Sequence, residues 1–343
     1  MSHEPFSIEV VARALGSSAV SAVTVVETFA ASDAQVARLQ ITFSDGRAPL
    51  RAIGKAATGT GVAAARRELR FFQHTAPLWD SRAPQLLGAW DEGLDGDTRV
   101  LLLTEDLGAA GYAVVGGDVS DDQLGGAIDA LVALHARFWE ACPAVHAAIP
   151  APSVTRAAQA WPPDVIAVHA AAARAAATRF TAAHATALVP HERALLDEIS
   201  TAWESQFFAR TAGGHAITLI HGDFHVLGNL FFAREDPRPR VIDWSELKPG
   251  LGPHDLAYCL IAVPSGDRAT RDLALLRRYW EHLRGAGVER YTWELCRWDH
   301  RLSLITNVFQ SLFQDSVTWF RRTAAIIDAL DCRAALRDPP PCP

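Results

Sequence analysis

Between residues 38 and 43 apolar and polar positions alternate: Leu39, Ile41 and Phe43 against Arg38, Gln40 and Thr42. That is the period of a half-buried strand. Asp45-Gly46 then signals a turn, and the chain returns through Leu50 to Ala56, which predicts a hairpin. A helix is expected from about Val62 to His74, stopped before Pro77. Two further runs, Gln85 to Trp90 and Thr98 to Thr104, flank the turn-rich stretch 91–97 and predict a second hairpin. After Gly108 the period becomes helical: Leu124, Ile128, Leu131, Leu134 and Phe138 mark an amphipathic helix facing a core. The stretch 157–187 is alanine-rich, but Trp161, Val165, Ile166, Val168 and Phe180 favour packed helices over a linker. More helices are expected over about 191–212, 269–286 and 294–336, with residues 339–343 a frayed tail around Pro339-Pro340-Pro341. The pattern is α+β, with a small β-rich lobe of one main helix (1–104), a joint (105–108) and a larger, mostly helical lobe (109–338).

Composition narrows the class. A chain of 343 residues with 49% hydrophobic and 21% charged residues can bury a large core or two lobes. That excludes a disulfide miniprotein and a disordered tail. No apolar run approaches the roughly 18 residues of a membrane span. The five cysteines (Cys142, Cys259, Cys296, Cys332, Cys342) are odd in number and scattered, with no Cys-x-x-Cys pair. Together with an acidic start lacking a signal-type apolar stretch, they predict a reduced, cytoplasmic protein, monomer or homodimer. The net charge of −7 argues against nucleic acid or an anionic membrane as partner and fits a cationic small substrate. Of 32 basic residues only Lys55 and Lys248 are lysine, so each is a candidate for a position where arginine would not serve.

Chemistry concentrates after residue 216. The apolar run Ile217-Thr218-Leu219-Ile220 leads into His221-Gly222-Asp223-Phe224-His225-Val226-Leu227-Gly228-Asn229. If Leu230 to Ala233 pairs antiparallel with Arg240 to Ile242, the open ends of that hairpin bring Asn229 and Asp243 together. A carboxylate and an amide oxygen, with Asp223 just upstream, suit a hard cation such as Mg²⁺. One reading makes these three residues turn caps, as Asp and Asn often are. The other makes them a phosphoryl-transfer centre, which needs an acid on the acceptor hydroxyl, an Asn and an Asp on the metal, and a lysine on the phosphates. His221-x-Asp223-x-His225 also suggests half of a metallohydrolase site, but that leaves Lys55 and Asp243 unexplained.

His221-Gly222-Asp223 with Asn229, then Ile242-Asp243-Trp244, then Gly250-Leu251-Gly252-Pro253-His254-Asp255-Leu256-Ala257-Tyr258, resembles the aminoglycoside phosphotransferase and choline kinase-like superfamily. Leu134-His135-Ala136-Arg137-Phe138-Trp139 is similar to its broad phosphotransferase and ecdysteroid-kinase-like branches. The resemblance spans nearly the whole chain. It implies a two-lobed protein-kinase-like fold and Mg²⁺-dependent transfer of the γ-phosphate of ATP, or GTP, to a hydroxyl of an aminoglycoside-like, amino-alcohol or other natural-product acceptor. It further implies Asp223 as the catalytic residue that orients the acceptor hydroxyl and takes its proton, Asn229 and Asp243 on the metal, and Lys55 on the phosphates. Glu68 would orient Lys55, with residues Thr104, Glu105, Asp106 and Leu107 as the adenine-holding hinge, their acidic side chains solvated. His221 and Asp255 would support the catalytic loop from behind, Asp255 also as a helix N-cap.

Glu68 has independent support. Its helical neighbours three and four residues away, Ala64, Ala65, Phe71 and Phe72, are apolar, so its charge requires a partner across an interface. Candidate acceptor contacts are Glu246, Trp298, Asn307, Gln310 and Gln314; Lys248 has no place in the pattern and reads as a surface residue. Residues 30–34 fall between the first two strands as a cover for the phosphates, and Thr58-Gly59-Thr60-Gly61 reads as a flexible lead into the helix. One departure stands out: five residues, not the family's usual four, separate Asp223 from Asn229. Either the loop bulges or the second metal contact is altered. That extra residue and the missing glycine-rich loop also admit a non-catalytic, nucleotide-binding relative.

Overall fold

The computed structural model describes residues 5–78, 80, 82–93, 99–140, 163–263 and 267–341. Trp161, Cys142, Cys342 and part of the 91–97 turn lie outside them. The chain divides into two compact units. One comprises the described residues up to Val114 together with Asn229–Leu247; the other comprises those from Val115 to Gly228 and from Lys248 onward.

The first unit is built on a five-stranded antiparallel sheet in the order β1-β2-β3-β5-β4. Its strands are β1 (Val20–Phe29), β2 (Gln35–Phe43), β3 (Leu50–Thr58), β4 (Leu86–Asp91) and β5 (Arg99–Glu105). Both hairpins expected from the sequence, β2 with β3 and β4 with β5, are present. Leu39, Ile41, Ala52, Ala56, Leu101 and Leu103 form one buried face, because residues two apart in a strand share a side. A helix that the alternation did not suggest, α1 (Ile8–Leu15), covers this face through Val10, Val11 and Ala14. Its signals are local: the Ser7 hydroxyl accepts from the Val10 N–H, and Gly16 closes the helix at φ 60°.

The main helix α2 (Val62–Arg70) runs on through a wider turn to Thr75. Its lead is not slack. Residues Gly59–Gly61 form a 3-10 turn, and a Cβ on Gly61 would stand 1.8 Å from the Asp33 carbonyl oxygen, in the β1–β2 connection. The unit also holds a small sheet ordered β6-β8-β9, from β6 (Tyr112–Val114), β8 (Leu230–Ala233) and β9 (Arg240–Val241).

The second unit contains the two-stranded ladder of β7 (Thr218–Ile220) with β10 (Lys248–Gly250) and a set of helices. These are α3 (Asp121–Arg137), α4 (Pro163–Ala183), α5 (Pro190–Thr211), α6 (Pro253–Ala262), α7 (Arg268–Gly285) and α8 (Trp293–Phe313), then α9 (Val317–Ala329) and α10 (Ala334–Arg337). All ten residues of α6 are buried, the mark of a helix enclosed on every side. The core joins Trp203, Phe207, Ile305, Val308 and Phe320 from α5, α8 and α9. The single helix expected over 294–336 is broken twice. Asp315 (φ 52°) and Asp331 (φ 47°) take left-handed backbone, and the Ser316 hydroxyl caps α9 by accepting from the Trp319 N–H. Among the described residues no helix is long and apolar enough to cross a membrane.

Candidate active site

In the first unit the chemistry gathers on Lys55. Strand β3 pairs with β2 and β5, so the Lys55 backbone is fixed on both sides, opposite Val36 and Leu102. Lys55 Nζ donates to Glu68 Oε2 at 2.7 Å and to Asp243 Oδ1 at 2.7 Å. Glu68 is 5% exposed, so its partner across the interface is Lys55. Desolvation works against the Lys55 charge, but the two carboxylates outweigh it and hold the ammonium well above its ordinary range. Burial pushes the Glu68 carboxyl upward, Lys55 pulls it back, and Asp243 pushes it up again, for a net rise.

Asp243 is placed by the β8–β9 hairpin. Leu230 pairs with Val241, and the Ile242 N–H donates to the Asn229 carbonyl at 3.0 Å. The backbone of Asn229 therefore sits beside the strand end that leads into Asp243. Asp243 itself adopts φ 60°, ψ 64°, a left-handed conformation that costs about 1–3 kcal/mol in a non-glycine residue. The turn that follows holds this geometry. The Trp244 N–H donates to Glu68 Oε1 at 3.3 Å, and the Trp244 ring stacks on Phe71 with centroids 4.0 Å apart. Arg67 donates to the Ser245 carbonyl at 2.6 Å and stands 3.4 Å from Glu246 Oε1. Helix α2 and the turn that continues it thus hold the residues that follow Asp243. Sequence periodicity did not single out Arg67, which is 3% exposed.

The joint is more tied down than its acidic sequence suggests. Asp106, expected to be solvated, is 4% exposed and accepts from Arg38 Nε at 2.8 Å. Glu105 accepts from Arg240 at 2.7 Å and from the Gln85 N–H at 3.1 Å. Thr104 pairs with Ile53 and Leu86 within the sheet, and the Leu107 carbonyl accepts from the Tyr112 N–H at 3.0 Å. These ion pairs, strand pairings and backbone hydrogen bonds fix the course of residues 104–107.

In the second unit the loop carrying Asp223 is braced from below. Asp255 accepts the N–H of His221 at 2.7 Å and of Gly222 at 2.9 Å. It is not the helix N-cap: α6 starts at Pro253 with Gly252 at the N-cap, which puts Asp255 within the first turn. Burial would raise the Asp255 pKa, but the hydrogen bond and charge of His135, 3.2 Å away, lead the effects that hold it below its ordinary value. His135 is oriented in turn by the Tyr279 hydroxyl at 2.8 Å. Gly222 takes φ 84°, which only glycine adopts freely, and the Asp223 N–H donates to His221 Nδ1 at 3.2 Å. Between Asp223 and Asn229 the chain makes a turn in which the Gly228 N–H donates to the His225 carbonyl at 3.1 Å. The Asn229 carbonyl in turn accepts from the Ile242 N–H at 3.0 Å.

A pocket in this unit is lined by Asp223, Lys248, His254, Tyr258, Asn307 and Gln310, among others. Asn307 and Gln310 are thereby brought together with Asp223. Trp298 is instead 6% exposed in the helical core, its Nε1 3.4 Å from the Asp338 carbonyl. Gln314 is exposed at the end of α8, and Glu246 is buried against Arg67 in the other unit. Lys248 is no surface residue: it is 2% exposed and faces the pocket. Among the described residues no three His, Cys, Asp or Glu side chains gather as a metal-binding group. Asn229 and Asp243 offer hard oxygen donors, the chemistry Mg²⁺ takes from a protein when phosphates and water supply the rest.

A family model described as the phosphotransferase enzyme family matches residues 29–288. No curated protein matches the sequence. Similar solved structures include macrolide 2'-phosphotransferase MphH from Brachybacterium faecium, at 16% identity over 92% of this chain and 93% of that one, TM-score 0.47. Another is an ethanolamine kinase from Plasmodium vivax, at 13% identity over 88% and 80%, TM-score 0.49. A third is aminoglycoside phosphotransferase APH(3'')-Id from Streptomyces rimosus in complex with ADP and streptomycin, at 18% identity over 79% and 90%, TM-score 0.46.

Proposed function

We propose that this chain, which belongs to the phosphotransferase enzyme family, transfers the γ-phosphoryl group of ATP to a hydroxyl group of a small molecule through Asp223, Lys55 and Asp243. The observation that carries this reading is the position of Lys55 Nζ, 2.7 Å from both Glu68 and Asp243. A lysine held between two carboxylates has its ammonium fixed in place, which supports a role on polyanionic phosphate.

In the proposed reaction the acceptor oxygen bonds to the γ-phosphorus as the bond from that phosphorus to the bridging oxygen breaks. ADP leaves with the bonding pair, and the hydroxyl proton passes to Asp223. Phosphoryl transfer runs through a loose transition state, so the work of the protein is positioning and charge. The brace of Asp255 on the His221 and Gly222 amides serves the first need, by fixing the loop that bears Asp223. Lys55 serves the second at the α- and β-phosphate oxygens, with Glu68 setting its direction. Asn229 and Asp243 would hold Mg²⁺, which when bound neutralises the phosphate oxygens. Residues 104–107 would take the adenine edge through their backbone groups.

Mg·ATP binding separates these roles. Mg·ATP is expected to raise the Tm of the wild type and of Asp223→Ala, and to do so much less for Asp243→Ala. A wild type whose Tm ignores Mg·ATP would overturn the nucleotide site.

A further inference from the structure

The sheet face turned away from α1 carries Arg38 as well as Lys55. Residues directly opposite one another in antiparallel strands share a face, and the register sets out two rows on this one. The first runs Phe29, Val36, Lys55, Leu102; the second runs Glu27, Arg38, Ile53, Thr104. Two residues along a strand separate the rows, a distance of about 7 Å. Lys55 and Arg38 therefore stand at opposite corners of a square whose other corners are the half-buried Val36 and Ile53. An apolar patch beside the Lys55 ammonium suits the flat face of a purine base.

Arg38 ties that face to the joint. Its Nε donates to Asp106 Oδ2 at 2.8 Å and its Nη1 to the half-exposed Glu27, while its guanidinium lies over the Phe29 ring. Asp106 is buried, and its other oxygen accepts from the Ala109 N–H at 3.3 Å. The Asp106 carbonyl accepts from the Ala110 N–H at 3.1 Å. The chain passes so near the pair that a Cβ on Gly108 would stand 2.9 Å from Arg38 Nη2 and 3.3 Å from Asp106 Oδ1. Through one carboxylate, Arg38 thus holds the turn that continues the adenine-holding backbone. Without the guanidinium, Asp106 would be left buried beside no counter-charge from β2, and the turn would have to move to hydrate it.

We propose that Arg38 is a positioning residue for the nucleotide base: by fixing Asp106 it sets the backbone of residues 105–107 to meet the adenine edge, and it leaves the phosphates to Lys55. This rests on the nucleotide-site reading of Lys55 and residues 104–107. It deepens that reading by dividing the site into a phosphate end and a base end, each governed by its own cation.

The test is calorimetric titration with Mg·ATP and with magnesium tripolyphosphate, which carries the three phosphates without the base. The wild type is expected to bind Mg·ATP more tightly than tripolyphosphate. Arg38→Met should weaken Mg·ATP about 10-fold or more and change tripolyphosphate by less than about two-fold, the scale of one or two lost hydrogen bonds at the base alone. Arg38→Lys, which keeps the charge without the planar fork, should restore part of the loss. Lys55→Met should instead weaken both ligands. If Arg38→Met does not fold, Arg38→Met with Asp106→Asn removes both charges of the pair and carries the same expectation. Unchanged Mg·ATP affinity in the folded variant would overturn the proposal. So would an equal loss for both ligands, which is general damage rather than positioning of the base. A wild type that binds Mg·ATP no more tightly than tripolyphosphate would overturn it too, and leave the phosphate end standing. A wild type that binds neither ligand would sink the nucleotide site as well.

Discussion

Lys55 Nζ and Asp243 Oδ1 stand 2.7 Å apart although 188 positions separate them in the chain. Strand β3 supplies one and the end of the β8–β9 hairpin the other, and Glu68 on α2 completes the group. Three elements of different origin converge on one ammonium, which is costly to assemble unless the assembly is used.

Replacing that ammonium should therefore hurt catalysis more than folding. Lys55→Met is expected to lower kcat/KM by about 10²–10³-fold, as removal of one preorganised charge typically does. Because Glu68 and Asp243 hold the Lys55 pKa above its ordinary range, its deprotonation should leave no limb in the pH–rate profile below about pH 10. Steady-state kinetics from pH 6 to 10, in about one-unit steps, check both points.

The Asp255 brace ties stability to acid. Its folded-state pKa lies below the ordinary 3.8, so the stability it contributes is fully present above that value. It is lost as pH falls through the lowered pKa. Asp255→Asn should cost about 1–3 kcal/mol at neutral pH and give a shallower fall of Tm below about pH 4 than the wild type. Thermal melts across that range read the difference.

Three buried histidines set a second acid transition. His254, His169 and His300 are lowered from 6.5 to about 3, 4 and 4, chiefly by burial, with Lys248 adding to the first two. For a base whose folded pKa is lowered, the unfolded chain takes up protons first, so stability falls as pH drops from about 6.5 toward 4. His300→Phe should flatten the Tm profile in that window while leaving the part due to His254 and His169.

Gly61 offers a test remote from charge. Its Cβ position is 1.8 Å from the Asp33 carbonyl oxygen, which is backbone and has no rotamer to yield. Gly61→Ala is expected to cost about 1–3 kcal/mol by overpacking. If residues 30–34 cover the phosphates, the KM for ATP should rise as well, and kinetics beside a thermal melt separate the two effects.

What the sequence made legible was carried by local pattern. Alternation in β2 and the turn signal Asp45-Gly46 located the first hairpin, and the apolar neighbours of Glu68 pointed to a partner that proved to be Lys55. Lys248 was not legible, because nothing in Ser245-Glu246-Leu247-Lys248-Pro249 marks a buried lysine. Only the non-local ladder with β7 turns it inward. Arg67 was missed for the same reason, since its partners are 178 and 179 residues away. The breaks at Asp315 and Asp331 were hidden by continuing apolar residues, which look alike whether one helix runs on or three pack together. By contrast α1 did carry its own signals, Ser7 and Gly16, at the two ends of a short apolar run.

The central claim is phosphoryl transfer to a hydroxyl with Asp223 as its proton acceptor. Its most direct test is acceptor-dependent release of ADP from Mg·ATP, wild type beside Asp223→Ala, over hydroxyl compounds of positive, neutral and negative charge. Release is expected with at least one acceptor, with a phosphomonoester product in equal amount and loss of that activity in Asp223→Ala while Mg·ATP still raises its Tm. Equal release by Asp223→Ala and the wild type would contradict it.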